Sequence, residues 1–198
     1  MATITAFESI TLDGVMQGLG RPDEDTRDGF AHGGWGQGYS DDVLASFVAE
    51  GMQQEGALLF GHRTYADVLG HWSSVGTDNP FTQRLLNSAK YVVSRSAGAS
   101  VDFPNSTLLV GEAVDTVAEL KATTQVPLQI IGSGALVQSL HAAGLIDRYT
   151  LLIHPIVLGG GRRLFGPSDR VDLHLDRTLP TSTGVVIAEY TVLNAGRD

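Results

Sequence analysis

The chain of 198 residues has no cysteine. That excludes disulfides, thiolate zinc sites, iron–sulfur clusters and cysteine nucleophiles, and it fits a reducing cytoplasm. No apolar run approaches the ~18 residues of a membrane helix. The opening MATITAFESITLDG has no basic stretch ahead of an apolar block, so no signal peptide is expected and the expected location is cytoplasmic. Positive charge is scarce: 13 Lys and Arg stand against 22 Asp and Glu, a net charge of −9. Such a field opposes a nonspecific grip on nucleic acid or an anionic membrane, and neither is expected as a partner. Any anionic ligand must be held locally, by a few arginines and backbone N–H groups.

Several chemical signatures are also missing. There is no G-x-G-x-x-G, no Walker A loop and no G-x-S-x-G elbow; the glycines around Ser133 sit at the wrong offset. The absent glycine fingerprint after the first strand argues against a Rossmann dehydrogenase. No two of the six histidines are three or four residues apart, so no helix carries a metal clamp. Asp23, Asp25 and Asp28-Gly29 hint at a calcium loop. Arg27 and Gly34 at the positions of two needed ligands remove the hint, and no metal is expected.

What the chain does have is glycine, 24 of 198 residues, with eight in the unpatterned stretch 13–39. A stretch of that length inside a compact domain is usually functional or mobile. Outside it, β-branched and apolar runs alternate with helical spacing. Residues 3–10, 57–60, 91–94, 107–110, 128–131, 148–158 and 185–193 read as strands. Helices are predicted from Ser40 as N-cap to Gly56, from Thr64, over 112–121, and from Gly134 to Gly144. Pro155 argues for an edge or a bulge in the long strand 148–158. The alternation predicts a single α/β domain, residues 1–198, with a mainly parallel sheet, helices on both faces and an antiparallel C-terminal strand.

Three predicted strand ends run directly into Gly, Ser, Thr or Arg: Gly61-His62-Arg63-Thr64, Ser94-Arg95-Ser96 and Gly132-Ser133-Gly134. Ligands bind beyond the carboxyl ends of strands in such sheets, and a glycine turn at a helix start presents free N–H groups to phosphate. Any one of these turns alone is ordinary turn chemistry. Together they point to a dinucleotide whose phosphates touch all three, with Arg63 and Arg95 supplying charge. The stretch 13–39 and Gly159-Gly160-Gly161 are the candidate substrate side. There Phe30, His32 and Trp35 either form a flat aromatic pocket or anchor the loop to the core. His154 reads as structural, and Asp13 reads as a turn cap.

These segments, with Ser9–Gly14, Leu59–Tyr65, Tyr91–Arg95, Ile130–Leu136 and Pro155–Phe165 in that order, resemble the dihydrofolate-reductase-like superfamily. The branch most similar is the reductase domain of bacterial riboflavin biosynthesis. The resemblance implies a three-layer fold, NADPH as cofactor, and hydride transfer to a small heterocyclic (pterin- or pyrimidine-like) or carbonyl substrate. It implies that Gly61, His62, Arg63 and Thr64 lie along the pyrophosphate. Gly132, Ser133, Gly134, Ala135, Leu136 and Val137 would cradle it from the other side. Ser94, Arg95 and Ser96 would meet the adenosine ribose and its 2′-phosphate. Leu12, Asp13 and Met16 would flank the nicotinamide. Phe30, Trp35, Phe47, Gly159 and Gly160 would line the substrate pocket. A homodimer is implied as well, with 185–193 as the candidate interface strand. Dihydrofolate reductases place an acid one turn before the Phe that matches Phe47; here that residue is Val43. The riboflavin branch has Glu where this chain has Ile131. No catalytic acid is therefore assigned. The alternatives are an authentic dihydrofolate reductase or a non-catalytic module that binds NADPH or a heterocycle.

Overall fold

The computed structural model describes residues 1–166 and 170–193. Eight strands form one sheet: β1 (Ile4–Thr11), β2 (Ala57–Gly61), β3 (Lys90–Ser94), β4 (Ser106–Val110), β5 (Leu128–Ile131), β6 (Arg148–His154), β7 (Asp172–Pro180) and β8 (Val186–Leu193). Their spatial order is β4-β3-β2-β5-β1-β6-β8-β7. The first six in that order are mutually parallel. β8 runs antiparallel to both β6 and β7. The helices are α1 (Asp42–Gln53), α2 (His62–Val75), α3 (Pro80–Asn87), α4 (Ala113–Thr123) and α5 (Gly134–Ala142). The expected three-layer fold with a mainly parallel sheet is what forms.

Parallel strands need crossovers, and the crossover helices cover both faces. Ile4, Ala6 and Ile10 of β1 point to one face, where Val117 of α4 and Leu136, Val137 and Leu140 of α5 pack on them. On the opposite face, Tyr65 and Leu69 of α2 and Leu85 of α3 cover Leu58, Phe60 and Val92. Phe47 of α1 covers Phe7, Leu152, Val185 and Ile187. α1 and α2 thus share one face with a gap between them over β1 and β5.

The structure departs from the sequence reading at five places. The Asp41 carboxylate, not Ser40, caps α1, accepting the Leu44 N–H at 2.8 Å. Its other oxygen accepts the N–H of Ser182, tying the β7–β8 turn to the helix start. β6 ends at His154 instead of running to 158, because Pro155 has no N–H to continue a ladder. The helix expected from Thr64 begins at His62. Finally, α3 and β7 were not predicted. β7 is an edge strand whose side chains are mostly exposed, and a bulge between Leu175 and Arg177 breaks its alternation. α3 had a readable signal, Asn79-Pro80: the Asn79 side chain accepts the Phe81 N–H at 2.8 Å, and proline occupies the first helical position.

α3 ends on a buried cation. Lys90, 1 % exposed, donates from Nζ to the carbonyls of Leu85, Leu86 and Ser88 at 2.7–3.2 Å. The ammonium satisfies the last carbonyls of α3 and complements the negative end of its dipole. Lys90→Met keeps the apolar stem and strands these carbonyls. We expect a loss of roughly 2 kcal/mol in urea unfolding, with the sheet otherwise retained by far-UV circular dichroism.

Candidate functional site

The three predicted turns come together because β3, β2 and β5 are neighbours whose carboxyl ends share one sheet edge. The Gly61 N–H donates to Ser133 Oγ at 3.0 Å, joining the start of α2 to the start of α5. His62 Nε2 lies 2.9 Å from the Ser100 carbonyl oxygen, joining α2 to the loop after β3. Gly132 (φ 62) and Ser133 (φ 70) both take left-handed backbone. At Gly132 a Cβ would meet Thr64 Cγ2 at 3.3 Å, so glycine serves both the turn and the close approach of α2.

Neither α2 nor α5 has a side-chain cap. The first-turn amides of a helix have no intrahelical partner, so two positive helix ends stand side by side. Within α5 the free amides are those of Gly134 and Ala135. The Leu136 and Val137 N–H groups already donate to the Ser133 carbonyl, and both side chains are in the core. The cradle is therefore shorter than expected. Arg63 is exposed on the first turn of α2 and has no ion pair among the described residues. At the end of β3, Ser94 Oγ accepts the Ser96 N–H at 3.1 Å. The Arg95 side chain, 82 % exposed, pairs with Glu112 at 2.8 Å.

Two of these turns, at Arg63–Thr64 and Gly132–Ala135, border a cleft of about 1180 Å³ between α1 and α2, whereas Ser94, Arg95 and Ser96 lie outside its lining. Its floor on the α1 side is Thr5, Phe7 and Ser9 of β1 with Ile131 of β5, and its wall is Leu44, Phe47, Val48 and Met52 of α1. The cleft then passes over the strand ends to Met16 and Gly132–Ala135 on the α5 side. Met16 crowds the spot that a Cβ on Gly134 would take, so Gly134 leaves room for this side chain.

The stretch 13–39 is ordered, and its glycines have a packing reason. The Gly34 N–H donates to the Gly18 carbonyl at 2.7 Å and the Gly36 N–H to the Leu19 carbonyl at 2.9 Å. A Cβ at Gly36 would collide with Leu19, and one at Gly33 with the Pro22 carbonyl. Gln17, which the sequence reading did not single out, is the hub. It is buried; its Nε2 donates to the Arg27 carbonyl at 3.1 Å and its Oε1 accepts the Arg162 N–H at 3.0 Å.

Phe30 and Trp35 do not line the cleft. They are buried with Val15 as the loop's own small core, and Trp35 Nε1 donates to the Gln17 carbonyl at 2.7 Å. Of the two roles read from sequence, anchoring is the one observed, because a loop with so few apolar groups needs them inward. His154, buried, holds the loop's far end, with the rings of Trp35 and Tyr39 edge-on at 5.1 and 5.3 Å. Gly159 and Gly160 are exposed and lie outside the cleft wall. The Gly159 N–H donates to Asp13 at 2.9 Å, as does that of Leu158 at 3.2 Å. Thr11 Oγ1 donates to the same carboxylate at 2.6 Å. The Thr11 hydroxyl first, then these amides, hold the Asp13 carboxyl down to about 2. Asp13 is thus a clamp between two loops. Leu12 is exposed beside it.

One further group was not foreseen. Glu8 on β1 is buried on the face of Ile4, Ala6 and Ile10, and it borders the cleft. Its Oε1 is sealed from solvent without a hydrogen-bond partner. Burial pushes its carboxyl from 4.5 up to about 8. The signal was present in ITAFESIT, where an acid interrupts the inward apolar series. Between pH 4.5 and 8 the folded protein keeps a proton that the unfolded chain has released. Stability from this group is therefore full below 4.5 and is lost as pH rises through 8. Glu8→Gln should gain on the wild type by on the order of 3 kcal/mol across that interval, read by denaturant unfolding at pH 5, 6.5 and 8.

Comparison with known proteins agrees with this architecture. An uncharacterized protein of Bacillus subtilis (strain 168), YyaP, is 28% identical over 146 residues, covering 70% of this chain and 75% of that one. A putative riboflavin biosynthesis protein from Shewanella sp. PV-4 superposes with a TM-score of 0.65 at 22% identity, covering 98% of this chain and 100% of that one. The dihydrofolate reductase of Enterococcus faecalis, complexed with NADP(H), superposes with a TM-score of 0.61 at 12% identity, covering 97% of each chain. The RibD C-terminal domain family matches residues 2–187, nearly the whole chain, and the protein belongs to that family.

Proposed function

We propose that this protein is an NADPH-dependent reductase acting on a small heterocycle of pterin or pyrimidine type, or on a carbonyl compound. The observation that carries this reading is the pair of uncapped helix starts joined by the Gly61–Ser133 hydrogen bond at the mouth of the cleft. The acidic chain as a whole repels anions, so two helix ends plus the exposed Arg63 make a local exception that suits a pyrophosphate. Membership of the RibD C-terminal domain family and the NADP(H) bound by the Enterococcus faecalis neighbour support it.

In this reading the amides of His62, Arg63, Gly134 and Ala135 hold the pyrophosphate, and Arg63 adds charge. Ser94, Arg95 and Ser96 receive the 2′-phosphate, which must displace Glu112 from Arg95. Bound NADPH would supply the hydride from its nicotinamide ring. Met16 and Ser9 border the space beside the strand ends and exclude water there. Phe7, Leu44, Phe47 and Val48 give a flat substrate two apolar walls and fix its plane. The α1 wall has no free acid: Glu50 pairs with Arg177 at 3.5 Å, and Arg177 also lies over the Phe47 ring at 5.5 Å. Folate reduction, which the resemblance ties to an acid on this helix, is therefore less well matched than another heterocycle.

Titration calorimetry tests the cofactor. We expect micromolar NADPH binding and weaker NADH binding. Arg63→Ala should weaken both by about tenfold, since both carry the pyrophosphate. Arg95→Ala should weaken NADPH alone. Equal losses for both cofactors in Arg95→Ala would remove it from the 2′-phosphate site. Loss of NADPH absorbance with a panel of pterins and pyrimidines then tests the reductase activity.

A further inference from the structure

Glu8 stands where the sheet opens. The β1–β5 register ends at Phe7 and Ile131, and the Gly132 N–H reaches the Phe7 carbonyl only at 3.4 Å. From there β5 turns away through Gly132 and Ser133 into α5, while β1 continues. Glu8 is the first residue of β1 beyond that pairing, and its side chain takes the α5 face. On this face the cleft is bordered by Met16, Gly134, Ala135 and Gln138. No hydrogen bond or ion pair reaches either carboxyl oxygen among the described residues.

Four other acids around the cleft mouth and its loops have partners. Asp13 takes the Thr11 hydroxyl and two amides. Asp25 takes Arg27, Asp28 takes Arg162, and Asp67 takes Arg21. Buried polar groups in folded proteins are nearly always hydrogen-bonded, and leaving one unpaired costs stability. A carboxyl kept unpaired at a cleft wall fits a partner that arrives from outside the chain.

We infer that Glu8 is a ligand-reading residue, its O–H donating and its carbonyl oxygen accepting, paired with a planar amide edge of the bound ligand. The inference rests on the reductase reading above. Two molecules in that reading carry such an edge: the carboxamide of the nicotinamide, and the ring amide of a pterin or pyrimidine. The position beside Met16, at the reactive end of the cofactor site, favours the carboxamide. Burial keeps the acid protonated near neutrality, so it can donate. Above about pH 8 the carboxylate loses that donor.

Several charged and titratable groups on elements packed against this face have their own contacts. Tyr149 of β6 bonds His141 Nδ1 of α5 at 2.6 Å. Lys121 of α4 pairs with Asp147 at 2.5 Å. Arg163 donates to the Asp13 carbonyl at 2.8 Å, and Arg162 pairs with Asp28. The Glu8→Gln variant keeps all of these, so it isolates the pH response of Glu8 from theirs.

The experiment is a titration of wild type, Glu8→Gln and Glu8→Leu with NADPH at pH 6.5 and pH 9. Adenosine 2′,5′-bisphosphate, which lacks the nicotinamide, is the control ligand, and thermal melts check folding. Wild-type affinity for NADPH should fall about tenfold at the higher pH. Glu8→Gln, an amide that donates and accepts at any pH, should match the wild type at pH 6.5 and not weaken at pH 9. Glu8→Leu should be weak at both. The control ligand should be indifferent to all three changes. If this pattern appears only when pterin is titrated into the NADPH-saturated proteins, the amide edge belongs to the substrate. If both ligands bind all three proteins alike at both pH values, Glu8 reads neither, and the cofactor reading stands without it. A wild type that binds no NADPH overturns the cofactor reading and this inference together.

Discussion

Six parallel strands cannot be joined by tight turns, and that constraint organises the molecule. Parallel neighbours must be joined by crossovers, and β2, β4 and β5 run at their carboxyl ends into the starts of α2, α4 and α5 on one sheet edge. Adjacency of β3, β2 and β5 then gathers three short polar turns that lie far apart in the chain. The Gly61–Ser133 hydrogen bond holds two helix starts close enough to act on one anion. Glycine is required at residue 132 because the backbone is left-handed there and α2 presses against it.

The long glycine-rich stretch has a second role in this arrangement. It is not a free lid but a folded segment, built on the Gln17 hub and the Phe30–Trp35 core and pinned at its far end by His154. The Asp13 clamp then ties its first turn to Leu158 and Gly159 after β6. These contacts fix Met16 over the end of β1, beside Gly134, and so set the width of the opening. The loop's aromatic residues serve order within the loop. The apolar walls for a flat ligand come from α1 and β1 instead.

Glu8 and Lys90 show two ways of keeping an ionisable group in a core. Lys90 is surrounded by three carbonyls at the end of α3, which satisfy its ammonium. Glu8 has no such shell among the described residues, and burial raises its carboxyl to about 8. Strained or unsatisfied groups concentrate at functional sites, where a ligand completes them. The contrast between these two residues separates a structural ion from a group that waits for a partner.

Much of the fold was legible from local pattern. Wholly apolar runs such as ALLF and LQII marked buried parallel strands, and helical spacing marked α1, α4 and α5, because burial on two faces or on one stripe leaves a period in the sequence. The polar strand ends and their arginines were legible for the same reason. β7 was not, since an exposed edge strand with a bulge has no single period. The roles of Phe30, Trp35, Asp13, Gly159 and Gly160 depended on which loops meet, and the sequence holds no record of that. Glu8 was visible as an acid in an inward position. Only the tertiary structure decided that, among the described residues, no cation or donor reaches it, because its surroundings come from β1, the turn after β5, α5 and the Met16 loop. By itself the sequence determined which elements form and where they end in polar turns. Long-range packing alone decided which turns share a cleft and which polar groups are left unpaired.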